Sequence, residues 1–481
     1  MFGCNMTTIS EENHRYYDFF AVGLFLLSAA YFSYKLWDGS LYAWDEGWYG
    51  EVAREAVEGK EWLTFHYNYQ TWMQKPPLFI WMVAAAFKVF GVNEFGERIP
   101  SAMFGFGSVI LLYFLARELF SSKRIAFLSS LTLIGFAQFV KQSKMGMMDA
   151  PLTFFILLAI YFFWLGRKKE RNLIYVGIIT GIAFMIKSFA AFQIPMIIAL
   201  FSLASGELRR LANIKFISGF VIGLVVCLPW HLYQYHIYGK QFIDEYFFRQ
   251  IFARTIEPAD NNAGNFLSYF KVIIVKNIPL GMLSLLAIPY ILFSLRKEEG
   301  DKRSALILLI SSVTVIILLF SLVRTKLGWY ILPVYPFLSM LTAVSLTKFV
   351  GKAKPTHRKK IPALIIIALT VIPIFRFVLD KHRNLDYMPE LKSVSLTIKN
   401  HSGKSDKLLL YGVAEETVIP FYSERGMYRV GRDDLLATAS GTKHFICLME
   451  KKDGFFEELK EKKYGLTVLK DTDDLILYER P

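Results

Sequence analysis

The sequence predicts a mainly α protein: a polytopic transmembrane helical bundle of about 11 spans, interfacial helices in its first extracytoplasmic loop, and a small C-terminal extracytoplasmic α/β domain. Three observations carry this expectation. Hydrophobic residues fill 54% of the 481 positions, with 43 phenylalanines, only 20% charged residues and a mean hydropathy of +0.35, which is outside the range of ordinary soluble chains. Apolar runs of roughly 16–22 residues recur as far as Leu379. Beyond Asp380 the pattern shortens to apolar stretches bounded by charged residues.

Spans are expected near 17–37, 99–116, 125–140, 151–166, 173–187, 190–204, 216–236, 277–295, 304–323, 329–347 and 361–379. The first one, around Phe19–Ala30, is read as retained rather than as a cleaved leader. Glu11, Glu12, Arg15 and Asp18 precede it, and no net positive stretch does. The run Leu78–Gly91 follows Pro76-Pro77, carries Lys88 and is short, so it suits an interfacial or re-entrant helix.

Basic residues test that choice, because counting Leu78–Gly91 as a span would invert every later loop. With it left out, the short cytoplasmic loops collect Arg117, Lys123, Arg124; Arg167, Lys168, Lys169, Arg171; Arg209, Arg210, Lys215; Arg296, Lys297, Lys302, Arg303; and the cluster at 348–360. Residues 38–98, the Lys141–Asp149 loop, the 237–276 loop, the Arg324–Trp329 turn and everything after Leu379 then fall on the other side. The net charge of +14 is thereby explained as a topology signal and a contact with anionic lipid headgroups, which leaves no support for nucleic acid as a partner.

The bundle is assigned to 1–379, with 38–98 as its catalytic first loop, and the soluble domain to 380–481. In the latter, Leu408–Val413, Phe445–Met449 and Leu475–Tyr478 read as strands and Phe455–Lys463 as an amphipathic helix. Cys4, Cys227 and Cys447 sit in three different environments, so no disulfide is expected.

Charged groups at a membrane edge are tolerated where they face water, protein or a charged ligand. Trp44-Asp45-Glu46-Gly47-Trp48-Tyr49 and Gln74-Lys75-Pro76-Pro77 both lie in the first loop, and Asp149 lies on the same side after two further spans. Asp45 also reads as the N-cap of a helix over Glu46–Glu58, with Glu46 favoured by the helix dipole. Asp149 reads equally as a cap before Pro151. Two carboxylates on one face are what a base and an orienting partner need. Lys75, Arg249, Arg254 and Lys326 supply cations suited to a lipid phosphate, although any one of them could be a headgroup contact. His231 and His236 are five apart and turn to different faces of a helix, so no metal is assigned to them.

Trp44-Asp45-Glu46 with Tyr49, Lys75-Pro76-Pro77-Leu78, Asn93-Glu94-Phe95 with Arg98-Ile99-Pro100, Met148-Asp149-Ala150-Pro151 and Lys326-Leu327-Gly328-Trp329-Tyr330-Ile331-Leu332-Pro333 together resemble the polyprenyl-phosphate-sugar-dependent transferases. That GT-C type family includes the lipid A aminoarabinose transferase and, more distantly, the protein O-mannosyltransferases. The motifs run in order over about residues 17–350.

The resemblance implies a monomeric multi-pass enzyme of the bacterial inner membrane, with its active site and C-terminal domain facing the periplasm or exterior. Its partners would be membrane lipids, an undecaprenyl- or dolichyl-phosphate-linked sugar as donor, and a lipid such as lipid A, or a protein, as acceptor. Carried over by position, Asp45 and Asp149 are the catalytic carboxylates, and Glu46 beside Asp45 is a third catalytic candidate. Lys75, Arg254 and Lys326 bind the donor phosphate, while Tyr49 and Tyr330 line the donor or substrate site. Aminoarabinose transferases commonly carry a metal-binding Glu before Lys-Pro-Pro, but this chain has Gln74, which weakens the site for a divalent ion, so no cofactor is assigned.

The implied reaction is a single inverting displacement at the anomeric carbon, with Asp45 as base for a hydroxyl acceptor and Asp149 as orienting group. Transfer to protein hydroxyls is an alternative within the family. A polyprenyl-lipid flippase would share the spans and the basic site without needing the carboxylates, and a non-catalytic envelope scaffold would need neither Asp45 nor Lys75.

Overall fold

The computed structural model describes residues 8–253, 264–352 and 387–480, apart from 405, 407, 415, 442–443, 452–453 and 462–463. The chain divides into two compact units, and the division does not follow the single cut expected at residue 380. One unit comprises Met1–Tyr34, Met73–Phe79 and Ile99–Lys381; the other comprises Lys35–Trp72, Ile80–Arg98 and His382–Pro481. Most of the first loop is thus part of the same body as the tail.

Among the described residues six helices are long and apolar enough to cross a bilayer: Tyr16–Ser33, Glu94–Phe120, Glu170–Ser205, Ile214–Tyr238, Leu280–Lys297 and Gly300–Leu322. A seventh span results if Lys123–Gly135 and Ala137–Ser143, bent by 71°, are counted as one. The bend has a local cause. Phe136 leaves the helical region for φ −76°, ψ 101°, which interrupts the hydrogen-bond ladder directly after Gly135.

Several expected spans take other forms. The pair expected at 173–187 and 190–204 is one run of 36 residues, broken where Ser188 adopts φ 43°. Those expected at 151–166 and 329–347 are the shorter apolar helices Asp149–Leu165 and Val334–Val350. The run at 361–379 lies outside the described residues. Leu78–Phe90 has 13 residues; its length of about 20 Å falls short of the roughly 30 Å hydrocarbon layer. The expectation that this run is too short to cross fits that length.

Glycine sets a close helix contact in the membrane unit. Gly177 and Gly181 on Leu173–Lys187 face Gly219 and Gly223 on Ile214–Tyr238. A Cβ on Gly177 would lie 2.0 Å from the Phe220 nitrogen, and one on Gly181 2.3 Å from the Gly223 oxygen. Two small residues four apart on each helix let the backbones touch, which is how helices gain van der Waals contact where lipid offers no hydrophobic drive.

The second unit carries a hairpin of β1 (Phe65–Tyr67) and β2 (Gln70–Trp72) and a five-stranded sheet of β3 (Leu408–Tyr411), β4 (Met427–Arg429), β5 (Phe445–Glu450), β6 (Thr467–Asp471) and β7 (Leu475–Arg480). The sheet order is β4-β3-β5-β7-β6. β3 is parallel to β4 and β5, and β7 is antiparallel to β5 and β6. One core joins Leu409, Phe445, Cys447, Met449, Ile476 and Tyr478 from the strands to Leu435, Phe455 and Leu459 from the helices.

The first loop is tied to the tail within this unit. The Asn68 amide donates to the Met427 carbonyl at 2.9 Å, and its oxygen accepts from the Met427 N–H at 2.8 Å. The Leu41 N–H donates to the Tyr422 hydroxyl at 2.7 Å, and that hydroxyl donates to Glu94 at 3.0 Å.

Replacing Gly181 by Leu forces a side chain into backbone and is expected to cost about 3 kcal/mol or more, read as a lower apparent Tm and a reduced yield of folded protein in detergent. Gly23→Ala, where an added Cβ meets nothing within 4 Å, is the control and should leave both measurements unchanged.

Candidate active site

In the loop-and-tail unit the site begins at the helix Asp45–Gly59. The helix cap is Trp44, at φ 73° and ψ −118°, so Asp45 stands inside the first turn rather than at the cap position. A tryptophan at positive φ stores about 1–3 kcal/mol of strain, and two contacts hold it. The Trp44 N–H donates to the Thr417 hydroxyl. Gly47 packs so closely on the tail that a Cβ there would lie 2.8 Å from the Val418 side chain. Asp45 is half-buried, and among the described residues its carboxylate has no hydrogen-bond or ion-pair partner. Trp48 lies one turn on, edge-to-face with Trp44 at 5.8 Å and with Tyr67 at 6.3 Å.

The structure gives Glu46 a different part from the catalytic one expected. It is fully buried, with one oxygen accepting from Arg98 Nε at 2.8 Å and the other from the Tyr42 N–H at 2.6 Å. The Arg98 guanidinium also donates to the carbonyls of Leu36, Asp38 and Ser40, at 3.2, 2.7 and 2.8 Å. Glu46 and Arg98 therefore tie the 36–46 segment together. Tyr49 is likewise buried, its ring 6.5 Å from that of Trp72, so it packs inside the unit.

Farther along the same helix Glu51 pairs with Arg54 through two bonds of 2.7 Å. Burial first, and the neighbouring Glu51 second, push the Glu55 carboxyl up to about 8, although the Tyr69 N–H donates to it at 3.1 Å.

In the membrane unit Asp149 opens the helix Asp149–Leu165, with Met148 as the cap, so Asp149 too is not an N-cap. Its buried carboxylate accepts from the ammonium of Lys187 at 2.6 Å. Lys187 ends the helix Leu173–Lys187, and its ammonium also lies 5.1 Å from the centre of the Tyr330 ring. Tyr330, in the 3-10 turn Gly328–Ile331, packs on Phe320 at 5.3 Å.

Lys326 is occupied by its own surroundings. Its ammonium donates to the carbonyls of Phe320 and Ser321, at 3.0 and 2.9 Å, and to that of Val323. These belong to the end of the helix Gly300–Leu322, which Lys326 thereby caps. Burial lowers its pKa. Lys75 is half-buried in the Met73–Phe79 stretch of this unit. Arg254 lies outside the described residues.

The structure thus joins Asp149 to Tyr330 through Lys187, and gathers Asp45, Glu46 and Tyr49 on one helix. Lys187 and Arg98 were missed as site residues. Lys187 had a signal, because a lysine closing a long apolar run is costly unless partnered. Arg98 stood within a recognised motif, but its partner lies 52 residues away. His231 is bonded inside the fold and His236 is exposed, as their spacing predicted. Among the described residues no group of three or more His, Cys, Asp or Glu side chains could hold a metal ion.

Glu46→Gln leaves Arg98 buried without its counter-charge and is expected to cost about 3–5 kcal/mol, read as a drop in apparent Tm of the purified protein. For Glu55 the sign follows from the raised pKa. The folded chain keeps a proton that the unfolded chain loses near 4.5, so this contribution is complete below 4.5 and fades as pH rises to about 8. Glu55→Gln, neutral throughout, should flatten the fall in apparent Tm across that interval.

Residues 74–233 match a family profile described as dolichyl-phosphate-mannose-protein mannosyltransferase. An uncharacterized protein of Aquifex aeolicus is 31% identical over 315 residues, covering 64% of this chain and 60% of that protein. The undecaprenyl phosphate-α-4-amino-4-deoxy-L-arabinose arabinosyl transferase of Pseudomonas savastanoi is 28% identical over 364 residues, 74% of this chain and 67% of that one. Its counterpart in Pseudomonas aeruginosa strain UCBPP-PA14 is 28% identical over 312 residues, 63% and 55% of the two chains. The matched part therefore spans about 55–67% of these relatives' length. In fold, ArnT from Cupriavidus metallidurans bound to undecaprenyl phosphate superposes with a TM-score of 0.79 at 17% identity, over 96% of this chain and 98% of that one. In sequence, and over nearly its whole length in fold, the chain resembles the polyprenyl-phosphate-sugar-dependent membrane glycosyltransferases of the GT-C type.

Proposed function

We propose that the protein is a membrane glycosyltransferase that moves a sugar from a polyprenyl-phosphate donor to an envelope lipid such as lipid A, inverting the anomeric centre. The observation that carries this reading is the Asp149–Lys187–Tyr330 cluster. A buried ion pair capped by an aromatic ring, at the ends of apolar helices, suits the polar head of a ligand whose tail stays in the bilayer. The names of the arabinosyl transferases among the relatives support undecaprenyl phosphate as the carrier of the sugar. The distribution of basic residues between loops supports a periplasmic face for the site.

In the proposed reaction an acceptor oxygen attacks the anomeric carbon as the bond from that carbon to the phosphate oxygen breaks. The polyprenyl phosphate leaves with the electron pair. Asp45, half-buried and without a partner among the described residues, takes the proton of a hydroxyl acceptor. Toward an acceptor that is already an ionised phosphate it acts on charge alone. Asp149, fixed by Lys187, orients sugar or acceptor. Lys75 and Arg254 offset the charge that grows on the departing phosphate. Lys326 joins them only by trading one of its carbonyl partners for a phosphate oxygen.

Purified protein in lipid vesicles, supplied with an undecaprenyl-phosphate sugar and lipid A and followed by mass spectrometry, tests the reading. Wild type should add one sugar mass to lipid A and release undecaprenyl phosphate, the increment telling pentose from hexose. Asp45→Asn should slow turnover by about 100-fold, whether the carboxylate takes a proton or acts through its charge, while donor binding persists. Normal turnover in that variant would sink the role of Asp45. Movement of labelled donor across the bilayer without its consumption would identify a transporter instead.

A further inference from the structure

Lys187 is followed by Ser188 at φ 43° and ψ −128°, a backbone conformation suited to glycine and costly for serine. Such a residue persists where its surroundings hold it. The Ser188 hydroxyl lies 2.7 Å from the Tyr246 hydroxyl, and Tyr246 lies 3.0 Å from His231 Nε2. His231 Nδ1 lies 2.7 Å from the Cys227 carbonyl.

A carbonyl only accepts, so in the neutral imidazole Nδ1 carries the proton and donates to Cys227, and Nε2 presents a lone pair. Nε2 then accepts from Tyr246, and the Tyr246 oxygen in turn accepts from Ser188. Every bond in the chain has a fixed sense. Tyr246 is fully buried, stacked on Phe242 at 5.0 Å and set against Phe247 at 5.0 Å and Trp230 at 6.1 Å. Its ring has little room to swing. His231 and Cys227 belong to the same long helix, Ile214–Tyr238, whose backbone touches that of Leu173–Lys187 at the paired glycines. The strut therefore runs from a rigid helix pair to the peptide that aims Lys187.

We propose that Ser188, Tyr246 and His231 form a positioning strut that holds the strained turn after Lys187, and so keeps its ammonium on Asp149 for the transfer step. The proposal rests on the transferase reading given above. None of the three needs to touch substrate. They act through Lys187.

Four proteins test it: wild type, Tyr246→Phe, Ser188→Gly and the double variant, each measured for kcat, donor KM and apparent Tm in the vesicle assay. Tyr246→Phe keeps the ring and loses the hydroxyl, and should lower kcat about tenfold with donor KM little changed. Glycine accepts the turn without strain and needs no strut. Ser188→Gly should therefore stay within about twofold of wild type, and adding Tyr246→Phe to it should cost less than about twofold more. Equal losses from Tyr246→Phe in both backgrounds, or unchanged kcat in the single variant, would overturn the strut. So would loss of activity in Ser188→Gly alone, since the hydroxyl would then act by itself. Should wild type transfer no sugar, the functional reading fails separately. The strut is then read from Tm, where Tyr246→Phe must destabilise the serine background more than the glycine one.

Discussion

A charge removed from water must be compensated on the spot, and both parts of this protein are arranged around that constraint. An uncompensated buried charge costs several kcal/mol, a large share of what holds a fold together. Glu46 meets it with Arg98, and Asp149 meets it with Lys187. Neither pair lies within one local element. Each joins stretches far apart in the chain, so satisfying the charge also fixes the geometry.

The two pairs do different things with the same chemistry. Arg98 gives three further bonds to carbonyls of the 36–40 segment, so the Glu46 pair closes a loop. Lys187 instead lies over the Tyr330 ring, and neither residue is fully buried. A carboxylate that is neutralised and held makes a poor base but a good orienting group. Asp45 is the reverse case, partly shielded yet without a partner among the described residues. In the proposed reaction proton removal therefore falls to Asp45 and orientation to Asp149, a division that residue type alone does not make.

Much of this was legible in the sequence where the signal is local. Composition and run length announce helices in a bilayer, and all-apolar stretches announce β3, β5 and β7, whose residues are buried on both faces. β4 and β6 were not visible. Each is an edge strand of a few residues carrying lysine or arginine, with no clean alternation for a pattern to catch. The motifs picked out Asp45, Asp149 and Tyr330, but Lys187 read as the end of a span because its partner lies 38 residues earlier. The joining of residues 35–72 and 80–98 to the tail was equally out of reach. It rests on single bonds such as Asn68 to Met427, which have no periodicity.

That joining changes what the tail is for. Trp44 does not hold φ 73° by itself, and the next residue is Asp45. Thr417 satisfies the Trp44 N–H, and Val418 with Thr417 leaves room only for glycine at position 47. Loosening either contact would let the first turn relax toward an ordinary cap. Asp45 would then be free to take up the capping role that its sequence position suggests, bonding its carboxylate to backbone N–H groups. The tail thus holds the turn that keeps Asp45 out of that role, through Thr417 and Val418.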